Sequence, residues 1–215
     1  PTNANVVITG GIDLHRTTDG GTNWTGISHW YGGFSKPYIH ADQHAIEFRP
    51  GSSNEAIFGN DGGVYYSTDA GNTAATPSFS GKNNGYNVTQ FYACAGENVQ
   101  NSNYFLAGAQ DNGSQQFTQP QINSTTEVTG GDGAFCHIDS DNPNYQMTAY
   151  TNNTIYLSTD GGSTFPQIVS EASGHFINPS DYANLQNILY CAAGDNQIKR
   201  VSGIGGTITN TNIAI

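Results

Sequence analysis

The chain has 215 residues, with six Lys plus Arg against 17 Asp plus Glu and a formal net charge of −11. That balance argues against nucleic acid and anionic membrane surfaces as partners, because both are gripped by clustered cations, and Arg16, Lys36, Arg49, Lys82, Lys199 and Arg200 are scattered singly. No apolar run approaches the ~20 residues that span a bilayer, and the opening Pro-Thr-Asn-Ala-Asn has neither a charged nor an apolar segment. The expectation is therefore a chain without a signal peptide, a mature or excised piece of something longer.

Hydrophobic residues make up 35% and charged residues 11%, with 27 Gly. Disordered chains are usually charged and poor in aromatics, whereas this one carries 12 Tyr, 10 Phe and 2 Trp and should fold, as a β-rich protein with many turns. Cys94, Cys136 and Cys191 are an odd number with apolar or aromatic neighbours, and read as buried thiols rather than a disulfide framework. They lack Cys-x-x-Cys pairing, so no zinc site is expected.

In chain order, a strand is predicted at 5–10, followed by Thr-Thr-Asp-Gly-Gly-Thr-Asn-Trp at Thr17–Trp24. Candidate strands at 44–48, 56–60 and 63–68 lead into a second box, Ser-Thr-Asp-Ala-Gly-Asn-Thr at Ser67–Thr73. Strands at 88–95 and 104–110 precede Ala-Gln-Asp-Asn-Gly-Ser-Gln-Gln-Phe at Ala109–Phe117, which reads as a degenerate copy. Strands at 134–139, 145–150 and 154–159 lead to Ser-Thr-Asp-Gly-Gly-Ser-Thr-Phe at Ser158–Phe165, and 175–178, 188–194 and 197–202 complete the set. Short β runs bounded by Gly, Asn, Asp and Pro are strand-and-turn signals, and the absence of a 3.6-residue apolar period predicts almost no helix.

Four short strands per ~45 residues, repeated, is the pattern of a β-propeller. The sequence thus predicts an all-β chain of four-stranded antiparallel blades, about five of them, at 1–39, 40–86, 87–129, 130–172 and 173–215. The first opens directly on a hairpin and lacks its innermost strand, the expectation being one propeller domain or a fragment of a larger wheel. Within each box, Asp19, Asp69 or Asp160 should accept N–H groups of its own loop, glycine should supply positive φ, and the terminal aromatic should pack on the blade. That is a structural staple rather than a catalytic group.

These boxes resemble the Asp-box (BNR) repeats of sialidases, sortilin-type Vps10 propellers and xyloglucanase-type glycoside hydrolases. The phrases His-Ala-Asp-Gln-His at 40–44, Gly-Asn-Asp-Gly-Gly-Val-Tyr at 59–65 and Gly-Gly-Asp-Gly-Ala-Phe at 130–135 are similar to those of large secreted bacterial Asp-box proteins. The resemblance implies a secreted or cell-surface setting, not a reaction.

In an antiparallel meander of strands a to d, the b–c turns and the crossings into the next blade share one end, opposite the boxes on the c–d turns. Asp13, Asp61, Asp111 and Asp195 fall at b–c turns, while His40, Asp42, His44 and Asp132 lie just before inner strands. All eight are thereby expected at one end, where a propeller gathers polar groups into a binding mouth. The alternative for the aspartates is ordinary tight-turn chemistry, and for His44 a satisfied buried side chain.

Two functions remain open. One is an extracellular module for recognition or surface structure, binding glycan or protein through the loop end bearing Asp42, Asp61, Asp111 and Asp132. Trp30, Tyr31, Phe34 and Tyr38 would then stack on sugar rings, or else fill space between blades. The other is a glycoside hydrolase, whose two carboxylates must stand about 5–5.5 Å or about 6.5–9.5 Å apart. The xyloglucanase resemblance implies a carboxylate at Asp61, with Asp111 or Asp132 as partner, although that family builds its cleft between two larger propellers. A sialidase fits worse, since its three convergent arginines are not matched by Arg16 and Arg200 in c strands and Arg49 in an a–b turn. No resident cofactor is expected; oxygen ligands suit Ca²⁺ at the acidic mouth, without EF-hand spacing. Sequons at Asn23, Asn87, Asn112, Asn123 and Asn152 carry little weight in a chain so rich in Asn and Thr.

Overall fold

Nineteen strands and one short 3₁₀ turn account for the regular structure of a computed structural model that describes residues 1–73, 76–86, 88–121 and 123–215. The strands assemble into five antiparallel sheets, each an up-and-down meander in sequence order. The first has three strands, β1 Val7–Gly10, β2 Leu14–Thr17 and β3 Thr25–Gly26. The second has four, β4 Gln43–Phe48, β5 Ala56–Asn60, β6 Gly63–Ser67 and β7 Ser80–Gly81. The third comprises β8 Ala93–Gly96, β9 Phe105–Ala109, β10 Gly113–Phe117 and β11 Thr126–Thr129. The fourth comprises β12 Cys136–Ile138, β13 Gln146–Ala149, β14 Asn153–Ser158 and β15 Gln167–Glu171. The fifth comprises β16 Ser180–Ala183, β17 Ile188–Ala192, β18 Gln197–Ser202 and β19 Thr209–Ala214. These are β-propeller blades. The chain divides into two compact units, Pro1–Asn87 with two sheets and Val88–Ile215 with three.

Period-two burial explains why these segments are strands. Ala56, Phe58 and Asn60 of β5 are buried while Ile57 and Gly59 are not, and Asn153, Ile155 and Leu157 of β14 alternate with half-buried Thr154 and Tyr156. In the first unit the inward set forms a core of Leu14, Ile27, Ile39, Ala56, Phe58, Tyr65 and Ala70. In the second, Met147, Ile155, Leu157, Val169, Leu189, Cys191, Val201 and Ile204 form another.

The three boxes lie on the connections β2–β3, β6–β7 and β14–β15. Asp19 accepts the Thr17 hydroxyl at 2.7 Å, the Asn23 amide N–H at 2.9 Å and the Asn23 side chain at 2.8 Å. Asp160 accepts the Ser158 hydroxyl at 2.7 Å, the Thr164 N–H at 3.0 Å and the Thr164 hydroxyl at 2.7 Å. Asp69 accepts from the Ser67 hydroxyl at 2.9 Å and, across the loop, from Ser78 N–H at 2.9 Å. Positive φ occurs at Gly20, Gly21, Gly161 and Gly162 as the turn logic requires. Gly71 differs, its hydrogen face lying so close to the Ser53 carbonyl that no Cβ fits.

Several expectations need correction. Segment 109–117 is not a degenerate box, because it forms the β9–β10 turn and its flanks, whereas the equivalent connection β10–β11 contains no aspartate. The predicted strand at 175–178 is a loop, with the inner strand beginning at Ser180. Asn178 is buried at 2% exposure and its side-chain oxygen accepts His175 N–H at 3.2 Å, which takes that amide out of any ladder. Trp24 does not pack down on its blade; it is 45% exposed and its indole N–H donates to Gly21 O at 3.1 Å. Cys136 and Cys191 are buried thiols, but Cys94 is exposed on the outward-alternating side of β8. Asn87 and its sequon lie outside the described residues.

One buried polar network joins the fourth and fifth sheets. The Asn153 amide donates to Ser173 Oγ and to Ala192 O, both at 2.8 Å, and its oxygen accepts from Asn178 at 2.7 Å. Asn153→Ala strips partners from groups that remain buried, and is expected to cost about 1–3 kcal/mol, read as a lower denaturant midpoint at unchanged slope. The Thr164 hydroxyl and amide and the Ser158 hydroxyl hold the Asp160 carboxyl at about 2, below its ordinary 3.8. A carboxyl depressed by folding stabilises the fold above its unfolded value, and that stability is lost as pH falls through the folded one. Asp160→Asn should therefore lower Tm at neutral pH, and its deficit should shrink between about pH 4 and pH 2 when thermal unfolding is followed by circular dichroism.

Candidate functional site

In the first unit, Asp61 and Gly62 make the tight turn between β5 and β6. The turn is tied from two sides. Gly62 N–H donates to Asn60 Oδ1 at 3.1 Å, Gly62 O accepts from Asn83 Nδ2 at 2.8 Å, and Asn83 Oδ1 accepts Val64 N–H at 2.7 Å. Gly62 is required by close approach, since a Cβ there would run into the His40 imidazole.

The segment entering β4 supplies the remaining groups. Asp42 adopts φ 61°, a left-handed conformation that Asp tolerates better than most residues. Gln43 N–H donates to Gly11 O at 2.9 Å and its side-chain amide donates to His40 O, which fixes the segment against the β1–β2 turn. The β4–β5 register shifts between Gln43 and Ala45, leaving His44 as the extra residue of a bulge. A bulge re-aims a side chain, and here His44 Nε2 donates to Asp61 Oδ1. His44 is not the buried histidine of the alternative reading, because its side chain is 66% exposed. Water screens a pair so exposed, and its contribution to stability is small.

Asp42 and Asp61 bring carboxylate oxygens within 4.8 Å of each other. His40, Asp42, His44 and Asp61 therefore meet at one end of the first unit, and Asp13 sits in the β1–β2 turn of the same unit.

Trp30, Tyr31, Phe34 and Tyr38 lie on the connection from β3 to β4, and Tyr38 packs edge to face against core Tyr65. Their exposures are 49%, 57%, 80% and 49%. The rings cluster, with Trp30 and Tyr31 edge to face at 4.8 Å and Phe34 at 5.1 Å from His29. Phe34 and Ser35 both have positive φ, so the chain holds a disfavoured conformation while presenting Phe34 outward.

In the second unit, Asp111 occupies the β9–β10 turn at φ 60°, and its N–H donates to Asp132 Oδ1 at 3.1 Å. Backbone bonds from Gly113 N–H to Gly131 O and from Gly133 N–H to Ala109 O, each 2.8 Å, hold the two segments together. Asp195 is exposed in the β17–β18 turn. Arg16 lies in β2 at 7% exposure, donating to Ala70 O at 2.8 Å, and Arg200 lies in β18.

Sequence reasoning missed three features. An open groove of about 320 Å³ on the second sheet is lined by Phe48, Arg49, Pro50, Ile57 and Tyr66, where Arg49 Nη1 and Tyr66 OH donate to Glu55 Oε2 at 2.8 and 2.7 Å. Lys199 is 1% exposed and ion-paired with Glu171 at 2.8 Å. His137 pairs through Nε2 with Ser180 Oγ at 2.8 Å beside a cavity of about 10 Å³ bordered by Asn178 and Cys191. Lys199 and His137 are polar residues within strands, and only inward alternation marks them.

No family model matches the chain, and no curated protein matches it. Among solved structures, an ancestral GH74 enzyme aligns with TM-score 0.43 and 17% identity over 99% of this chain and 30% of that one. The GH74 enzyme of Niastella koreensis aligns with TM-score 0.49 and 16% identity over 98% and 33%. YCF48 from Cyanidioschyzon merolae aligns with TM-score 0.37 and 14% identity over 89% and 64%. The chain spans about a third of the length of these GH74 structures. Among the described residues, no helix is long and apolar enough to cross a membrane.

Burial pushes His137 down to about 4 from 6.5, with nearby Asp181 pulling the other way. The unfolded chain then binds the proton more readily than the folded one, so stability present at neutral pH is lost as pH falls from about 6.5 towards 4. His137→Asn should flatten the dependence of Tm on pH across that interval, measured by calorimetry on both proteins in matched buffers.

Proposed function

We propose that this chain is an extracellular Asp-box β-propeller module for recognition, one that takes a neutral glycan or a protein through its turn ends. The groups concerned are Asp42, Asp61, His40, His44, Trp30 and Tyr31 in the first unit, and Asp111 and Asp132 in the second. What supports the reading most is the β3–β4 connection, which leaves large aromatic rings open to solvent while carrying His40 and Asp42 beside the Asp61 turn. Aromatic faces stack on the apolar faces of sugars or on side chains of a partner. A net charge of −11 disfavours an anionic ligand. The box geometry around Asp19, Asp69 and Asp160, with loop donors converging on one carboxylate, supports Asp-box kinship and a structural task for those residues.

A second reading has its own observation. Oxygens of Asp42 and Asp61 within 4.8 Å stand near the spacing of a retaining glycosidase, about 5–5.5 Å between carboxyl groups. In that reading Asp61 is one of the reacting carboxylates, as the xyloglucanase resemblance implies, and Asp42 is its partner.

The test is a screen of the whole chain against plant and bacterial polysaccharides, for both binding and released reducing ends. Asp61→Ala, Asp111→Ala, Asp132→Ala and Trp30→Ala are compared with the parent. Recognition is expected to give binding without turnover, with an affinity loss of about 5- to 150-fold in Trp30→Ala, as stacking losses of about 1–3 kcal/mol imply. Turnover in the parent, abolished in one aspartate variant that still folds, would establish the hydrolase instead.

A further inference from the structure

Lys199 of β18 and Asn212 of β19 are directly opposed across the antiparallel ladder. The ammonium donates to Asn212 Oδ1 at 2.8 Å, and it lies 2.8 Å from Glu171 Oε2, which reaches in from the end of β15 in the preceding sheet. The Asn212 side-chain nitrogen donates to Gln197 Oε1 at 3.3 Å. Carboxamide and carboxylate are thus each within hydrogen-bond reach of the nucleophile, and the lysine is 1% exposed beside buried Cys191 and Val201. Holding a nucleophile against its electrophile replaces a bimolecular encounter by a unimolecular step, and a carboxylate in contact with the nucleophile is placed to move its protons.

We propose that this triad is a modification site at which Lys199 Nζ and Asn212 Cγ join in an intramolecular isopeptide bond. Glu171 accepts a proton from the ammonium, and the freed lone pair attacks Cγ to give a tetrahedral centre. Collapse of that centre breaks the Cγ–Nδ2 bond. The two protons lost from Nζ end on Nδ2, which departs as ammonium ion, held towards Gln197 Oε1 as it leaves. One C–N bond forms and one breaks, without oxidant, reductant or cofactor. Glu171 is catalytic here because it touches the reacting nitrogen.

The consequence is mechanical. Every residue of β19 is exposed, so this edge strand has its ladder to β18 and little apolar burial to hold it. Strands of that kind open at low cost. A covalent rung at the Lys199–Asn212 pair would stop the hairpin from peeling.

The experiment reads the mass of the whole folded chain after incubation at neutral pH. The parent should be lighter than its sequence by one ammonia, and trypsin should leave Asn83–Arg200 joined to Val201–Ile215. Asn84 and Asn112 each precede glycine, and cyclisation there also releases ammonia, but it would leave Val201–Ile215 free. Glu171→Gln and Lys199→Arg should carry the full mass. Asn212→Ala, on an exposed strand, serves as the variant that keeps its fold, verified by circular dichroism; it should carry the full mass too. A folded parent at full sequence mass, a free Val201–Ile215 peptide, or an ammonia deficit that persists in Asn212→Ala would overturn the proposal.

Discussion

In four of the five sheets the central turn is completed by the segment that leads towards the next sheet, and this hydrogen-bonded stitch is the constraint on which the geometry of these turns depends. Gly11 O accepts Gln43 N–H, Gly62 O accepts the Asn83 side chain, Ala109 O accepts Gly133 N–H, and Phe176 O accepts Asn152 N–H. A blade edge buried without such partners would leave backbone groups unsatisfied. Because the stitch is made of backbone or amide groups at successive turns, whatever side chains stand beside it are held in register with both segments. Asp111 beside Asp132 is an instance.

The stitch also explains a composition that looks unpromising. A carboxamide carries a donor and an acceptor on one planar group, and so bridges a backbone N–H and a backbone C=O at once. Asn83 does this between Val64 and Gly62, and Asn178 between His175 and Ala192. An aspartate in either place would accept but not donate, and burying its charge would add cost. Many asparagines and few charges are what a chain of short strands with many stitched turns needs. Where aspartate is used structurally, in the loops of Asp19 and Asp160, the site is solvated and every partner is a donor.

Strands with strict alternation were legible in the sequence, β5, β6 and β18 among them, as were the loops in which an aspartate follows Ser or Thr by two residues. The topology then placed Asp42, His44 and Asp61 at one end of the first unit, and Asp111 and Asp132 together in the second. What failed has physical causes. The apolar run at 175–178 resembles a strand, but Gly174 at φ 85° and the Asn178 side chain take its hydrogen bonds elsewhere. The Asp111 segment matches a box in letters while serving as a tight turn, because Asp-x-Gly suits both geometries. Lys199 was invisible as a buried group, since Ile198 and Arg200 on the other face blur the inward pattern of Lys199 and Val201.

The two kinds of aspartate differ in what surrounds them. At the boxes, hydroxyl and amide donors of the same loop converge on the carboxylate and lower its proton affinity, so Asp19 and Asp160 are spent on closing their own loops. At the β5–β6 turn the closing bonds come from Asn60, Asn83 and Gln43, which relieves the Asp61 carboxylate of that task, whereas at the β9–β10 turn the Asp132 carboxylate accepts the Asp111 N–H. Asp42 stays at positive φ, and Phe34 remains outward on a left-handed backbone, because neighbouring bonds fix the chain there. A fold that assigns its turn chemistry to neutral amides can vary the acidic and aromatic side chains at those turns without rebuilding the blades, and one architecture can therefore serve either recognition or hydrolysis.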